Sequence, residues 1–112
     1  MLHARIFDFD LTVHGPYAVV GAQGELDIAA VDELQSCVRR AARRSPGVVV
    51  DLRDVTFMDT FALRELVRLQ LDALATPEWS LHVVAGAGVQ RVLDLAEARD
   101  DLRWISDEQL AG

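Results

Sequence analysis

Lysine is missing from this chain: all eleven basic residues are arginine, set against eighteen acidic ones, and the net charge is −7. That acidic balance argues against a nucleic-acid backbone as the main partner. Cysteine occurs once, at Cys37, which excludes an internal disulfide and suits a reducing cytoplasm. No apolar run approaches the roughly 20 residues a membrane helix needs, and the start lacks a signal-peptide pattern. A cytoplasmic chain with no membrane insertion is expected. Repeats, low-complexity tracts and linkers are absent too, so the 112 residues read as one domain, 1–112, able to bury roughly two-thirds of its unfolded surface. His3, His14 and His82 are scattered without metal-ligand spacing, and no metal or other cofactor is expected.

What the chain does have is alternating strand and helix patterns. In Phe7 to Val13, FDFDLTV, Phe7, Phe9, Leu11 and Val13 share one face and Asp8, Asp10 and Thr12 the other, the period of a half-buried strand. His14-Gly15-Pro16 turns the chain, and Tyr17 to Ala22 returns as the second strand of an edge hairpin. Asp27 stands as a helix N-cap ahead of Ile28, Val31, Leu34, Val38 and Ala41 at helical spacing. Cys37 falls near that stripe and reads as a small core residue. Arg39, Arg40, Arg43 and Arg44 form the solvated end of this helix, where cations suit the dipole. Ser45-Pro46-Gly47 stops it.

Val48 to Leu52 is a strand covered on both faces. After a short loop, Phe61 to Leu74 is helical, with Leu63, Leu66, Val67, Leu71 and Leu74 inward, and Thr76-Pro77 closes it. Leu81 to Ala85 is a strand, Gly86 a turn, and Val89, Val92, Leu93 and Ala96 the inner stripe of a third helix. Leu102 to Ile105 reads as a last strand before a polar tail. The order requires parallel crossovers. The expected fold is α/β: a mixed, mostly parallel sheet of about five strands, an N-terminal antiparallel hairpin, and helices packed on the sheet.

Asp8 and Asp10, one residue apart with Thr12 beyond, resemble the nucleophile loop of haloacid-dehalogenase-type phosphatases. Such a loop must follow a buried parallel strand, whereas these aspartates lie inside the alternating pattern and no lysine exists to hold a phosphoryl group. A solvated strand face accounts for them better. Gly86-Ala87-Gly88 is too short for a phosphate-cradling loop. No enzymatic constellation is visible.

The informative stretch is Val48 to Leu66, VVVDLRDVTFMDTFALREL, taken with Gly24-Glu25-Leu26-Asp27. On spacing alone, Thr60 caps the helix that follows. Together the two stretches resemble the STAS domain family, in its anti-sigma factor antagonist branch, and the resemblance covers nearly the whole chain. It implies a STAS-like fold and a non-enzymatic regulatory switch. The partner implied is an anti-sigma factor that is also a serine/threonine kinase of the GHKL class. The hydroxyl after the aspartate, here Thr60, would be phosphorylated to end binding, with Glu25, Asp27, Asp59, Phe61 and Arg64 forming the partner-binding face. Relatives often carry a second hydroxyl and a glycine where this chain has Phe61 and Ala62, and a glycine near Ala96-Glu97-Ala98-Arg99. An aromatic beside the acceptor also resembles stressosome scaffold subunits, and small STAS subunits of lipid-transport ABC systems are a third relation. Self-association stays open.

Overall fold

The computed structural model describes residues 6–111; His3 lies outside them. One mixed sheet runs in the order β1 (Phe7–His14), β2 (Tyr17–Leu26), β3 (Gly47–Met58) and β4 (Ser80–Ala85). β1 is antiparallel to β2, and β2, β3 and β4 are mutually parallel. The helices are α1 (Val31–Arg44), α2 (Thr60–Leu74), α3 (Ala87–Leu95) and α4 (Asp107–Ala111), with 3-10 turns at Ile28–Ala30 and Arg99–Asp101.

Strand alternation sorts the core into two layers. Val20, Val48, Val50, Leu52 and Leu81 point to one face and pack with Leu34, Val38, Leu66, Leu69 and Leu93 of the three longer helices. Truncating a fully buried leucine in such a layer costs about 2–5 kcal/mol. Val19, Val49 and Val84 point to the other face, where Ile105 and, from α4, Leu110 cover them. Cys37 is buried in the first layer, as its place beside the helical stripe suggests.

The fifth strand expected at Leu102 to Ile105 is not formed; the sheet has four strands. Val83 donates to Arg103 O at 2.8 Å and accepts from Ile105 N–H at 3.0 Å, which makes a single parallel bridge of Val83 with Trp104. Gln70 Oε1 takes the Arg103 N–H at 3.0 Å, and the Trp104 indole donates to Arg99 O. These bonds divert the segment from further pairing. The polar tail beyond it winds into α4.

Other expectations shift in phase. The second strand continues past Ala22 to Leu26, and β3 runs through the expected loop to Met58. Ile28 begins a 3-10 turn of three residues per turn, which rotates it out of the α1 stripe to 60% exposure. In α2, Leu71 and Leu74 are exposed, while Leu69, Gln70 and Ala73 are buried. Leucines ring this helix, so hydropathy alone does not fix its rotation. The Gln70 side chain does so by donating to Leu81 O at 3.2 Å while it holds Arg103. Val13 and Ala96 are exposed as well, because the hairpin tip and the α3 end project beyond the packed layers.

α3 ends where relatives often place a glycine, and here Glu97 takes φ +54. Ala98 N–H reaches Leu93 O at 2.9 Å and Glu97 N–H reaches Asp94 O at 3.2 Å. Those two bonds form a Schellman cap, whose left-handed residue is ordinarily glycine.

Candidate functional site

The residues singled out in the sequence gather at the carboxyl ends of β2 and β3. Glu25 pairs with Phe57 and Leu26 with Met58, and the Asp59 N–H carries the ladder one step further, to Leu26 O at 2.9 Å. In open α/β sheets, ligands commonly bind outside the carboxyl ends of the strands. Gly24 aims this end. Its φ is +89, and a Cβ there would strike the Ile6 carbonyl. The β2–β3 register shifts between Gly24 and Glu25, a bulge that bends the strand. Glu25 N–H anchors it to Ile6 O at 2.8 Å, and the Glu25 side chain is left exposed.

Two aspartates cap the turns that follow. Asp27 Oδ1 accepts the Ala29 N–H at 2.9 Å and starts the 3-10 turn. Asp59, in extended backbone, accepts the Ala62 N–H at 2.9 Å and caps α2. The cap is therefore Asp59 and not Thr60. Thr60 is the first residue of α2, exposed, and its hydroxyl makes no hydrogen bond among the described residues. Phe61 projects outward at 51% exposure instead of folding back on the core. Arg64, one turn on, is exposed and at helical spacing shares a face with Thr60. Ala62, at the position where the family often has glycine, is fully buried.

Two apolar neighbours at this end escaped the sequence reading. Phe57 is 47% exposed and Ile28 60%, although helical spacing puts Ile28 in the core stripe. Strand alternation opposite buried Met58 is the signal that could have exposed Phe57. Glu65 was missed too: its carboxylate is buried, and Arg68 grips both oxygens at 2.8 Å from the surface. The surface around Thr60 is thus acidic from Glu25, Asp27 and Asp59, with Ile28, Phe57 and Phe61 as exposed apolar groups.

The other acidic candidates lie elsewhere. Asp8 and Asp10 are exposed on β1, and the Asp10 carboxylate lies over Gly21 of β2, where a Cβ would clash with it. No group of three histidine, cysteine or carboxylate side chains is placed to hold a metal among the described residues. Asp51, on the sheet face opposite α1 to α3, is pushed up by burial. The side-chain, backbone and charge interactions of Arg53 outweigh that and hold it below the usual carboxylate range. Arg53 is raised in turn, mainly by its hydrogen bonds to Asp51, and also reaches Asp107 of α4 at 3.7 Å. This is a clamp on α4, not part of the Thr60 surface. No helix is long and apolar enough to cross a membrane among the described residues.

The fold is similar to that of an anti-sigma factor antagonist from Mycobacterium paratuberculosis, with a TM-score of 0.78, 22% identity, and coverage of 93% of this chain and 91% of that one. It is also similar to the anti-sigma factor antagonist SpoIIAA in its unphosphorylated form, with a TM-score of 0.68, 16% identity and 90% of each chain covered. The Bacillus cell fate determinant SpoIIAA in the phosphorylated form gives 0.62 and 16%, over 90% of this chain and 94% of that one. No curated protein matches the chain. The family model of the STAS domain matches residues 8–105, a span that holds all but the first residue of the sheet and the whole Thr60 surface, and the chain belongs to that family.

Proposed function

We propose that this chain is an anti-sigma factor antagonist: a cytoplasmic, non-enzymatic binding module whose partner is an anti-sigma factor with GHKL-type serine/threonine kinase activity. Phosphorylation of Thr60 ends the complex. The observation that carries the reading is the Thr60 hydroxyl, exposed at the start of α2 and relieved of the capping role by Asp59. A helix N-terminus tolerates a phosphate through its free amides and dipole, so the modification leaves the domain folded. The added charge, about −1.5 to −2, falls among Glu25, Asp27 and Asp59 and repels an acidic partner surface. Phe61 supplies an apolar contact and Arg64 a cation to the same face.

The test is affinity capture from native lysate with wild-type, Thr60→Asp and Thr60→Ala baits, with and without ATP. Wild type should retain a GHKL-type kinase and release it with ATP, with phosphate located on Thr60 by mass spectrometry. Thr60→Asp should not retain it, and Thr60→Ala should hold it through ATP. If both variants bind and release as wild type does, the switch is not at Thr60. Equal recovery of a transporter ATPase or of other STAS proteins by all baits would make the chain an assembly subunit instead.

A further inference from the structure

The end of the sheet opposite Thr60 carries a groove of about 600 Å³, within the range of small-ligand pockets, which are mostly apolar with a few placed polar groups. α2, at about 1.5 Å per residue, separates it from Thr60 by its whole length, since Leu74 and Thr76 line the groove. All three prolines of the chain, Pro16, Pro46 and Pro77, form its rim. They stand in three different turns and fix φ in each. Ser45 Oγ donates to Pro16 O at 2.8 Å and Ser80 N–H to Pro46 O at 2.7 Å. The turns are tied to one another, so the groove is preformed and binding in it avoids ordering costs.

Two of its side chains, Arg103 and His82, keep unspent polar groups. Arg103 is exposed, and its guanidinium has no ion-pair or hydrogen-bond partner among the described residues. Its backbone is pinned on both sides, N–H to Gln70 Oε1 and carbonyl to Val83 N–H. His82 lines the same groove, and its Nδ1 is buried without a partner. A buried N–H left orphaned is rarer and costlier than a buried lone pair, which assigns the proton to Nε2, the nitrogen that is not buried. Burial and the nearby Arg103 charge keep the ring neutral by lowering its pKa. Tyr17 and Trp79 add aromatic surface.

We propose that this groove binds a small planar organic anion, its charged end on the Arg103 guanidinium and the His82 Nε2–H, its apolar body on Tyr17 and Trp79. The site is independent of the Thr60 surface and of the antagonist reading.

The probe is 8-anilinonaphthalene-1-sulfonate, a flat apolar body with one sulfonate, compared with uncharged N-phenyl-1-naphthylamine. Fluorescence titration should give one sulfonate probe per chain. In an assigned amide spectrum the Trp79 indole signal should move while Phe57 and Phe61, exposed aromatics of the other end, stay put. Arg103→Gln, whose spectrum should otherwise match wild type, should weaken the sulfonate probe about tenfold and the uncharged one less than twofold. His82→Phe should weaken the sulfonate probe in the same direction. Absence of binding, shifts at Phe57 and Phe61 instead of Trp79, or an affinity that Arg103→Gln leaves unchanged would each overturn the proposal.

Discussion

The Asp59 carboxylate accepts the Ala62 amide at 2.9 Å, and the side chain next to it in sequence, Thr60, takes no part in that bond. Capping and acceptor roles are thus divided between neighbours. Asp59→Ala should cost about 1 kcal/mol of stability, the usual value of an N-cap. Thr60→Ala should stay within about 0.5 kcal/mol, as surface substitutions do. Urea midpoints for the two variants test the division directly, and a larger loss in Thr60→Ala would return the cap to threonine.

Glu97 occupies a left-handed backbone at φ +54 inside a Schellman cap. A residue with a Cβ pays roughly 1 kcal/mol there relative to glycine. Glu97→Gly should therefore raise the thermal midpoint, by several degrees for a domain of this size, since about 1 kcal/mol corresponds to roughly 4–8 °C. A lowered midpoint would mean that the Glu97 side chain holds something the backbone geometry does not reveal.

Gly24 presents the reverse case. Its φ of +89 and the Ile6 carbonyl beside it leave no room for a Cβ. Gly24→Ala should destabilise by more than about 1 kcal/mol and shift the amide signals of Glu25 and Leu26, because the bulge that aims them must relax. A neutral Gly24→Ala would show that the bulge is not needed to hold this end of β2.

His82 sets a pH dependence. Burial first, and the Arg103 charge second, lower its pKa from the ordinary 6.5. Below 6.5 the unfolded chain takes up this proton before the folded one does, so stability falls as pH drops from about 7 through the lowered folded value. Wild type should lose more stability than His82→Gln between pH 7 and pH 5, read as the difference in urea midpoints. Parallel curves would remove His82 as the cause. Asp51, also lowered overall, acts in a separate and more acidic window, below its ordinary 3.8.

Strand positions were legible wherever alternation met a partner. Val48, Val50 and Leu52 read correctly as core because the one polar residue of the run, Asp51, falls on the opposite face. The Thr60 surface was legible only through the resemblance that two short motifs carry; spacing alone put the cap on Thr60, where Asp59 holds it. Long-range hydrogen bonds were not legible. Gln70 reaches across to Leu81 and Arg103, sets the rotation of α2 and stops the expected fifth strand, and no local pattern announces it. The groove at the proline-lined end was hidden for the same reason: its turns are far apart in sequence and meet only through the parallel sheet.

Cys37, the sole thiol, lies 3% exposed in α1 against the sheet. Its chemistry follows the opening of the fold, not the state of the surface. A thiol reagent reaches it only when α1 lifts or the chain unfolds, so labelling rates become a clock for those openings. Oxidative pairing of two copies is closed to the native protein for the same reason, and a disulfide-linked dimer on a gel would record unfolding that had already happened.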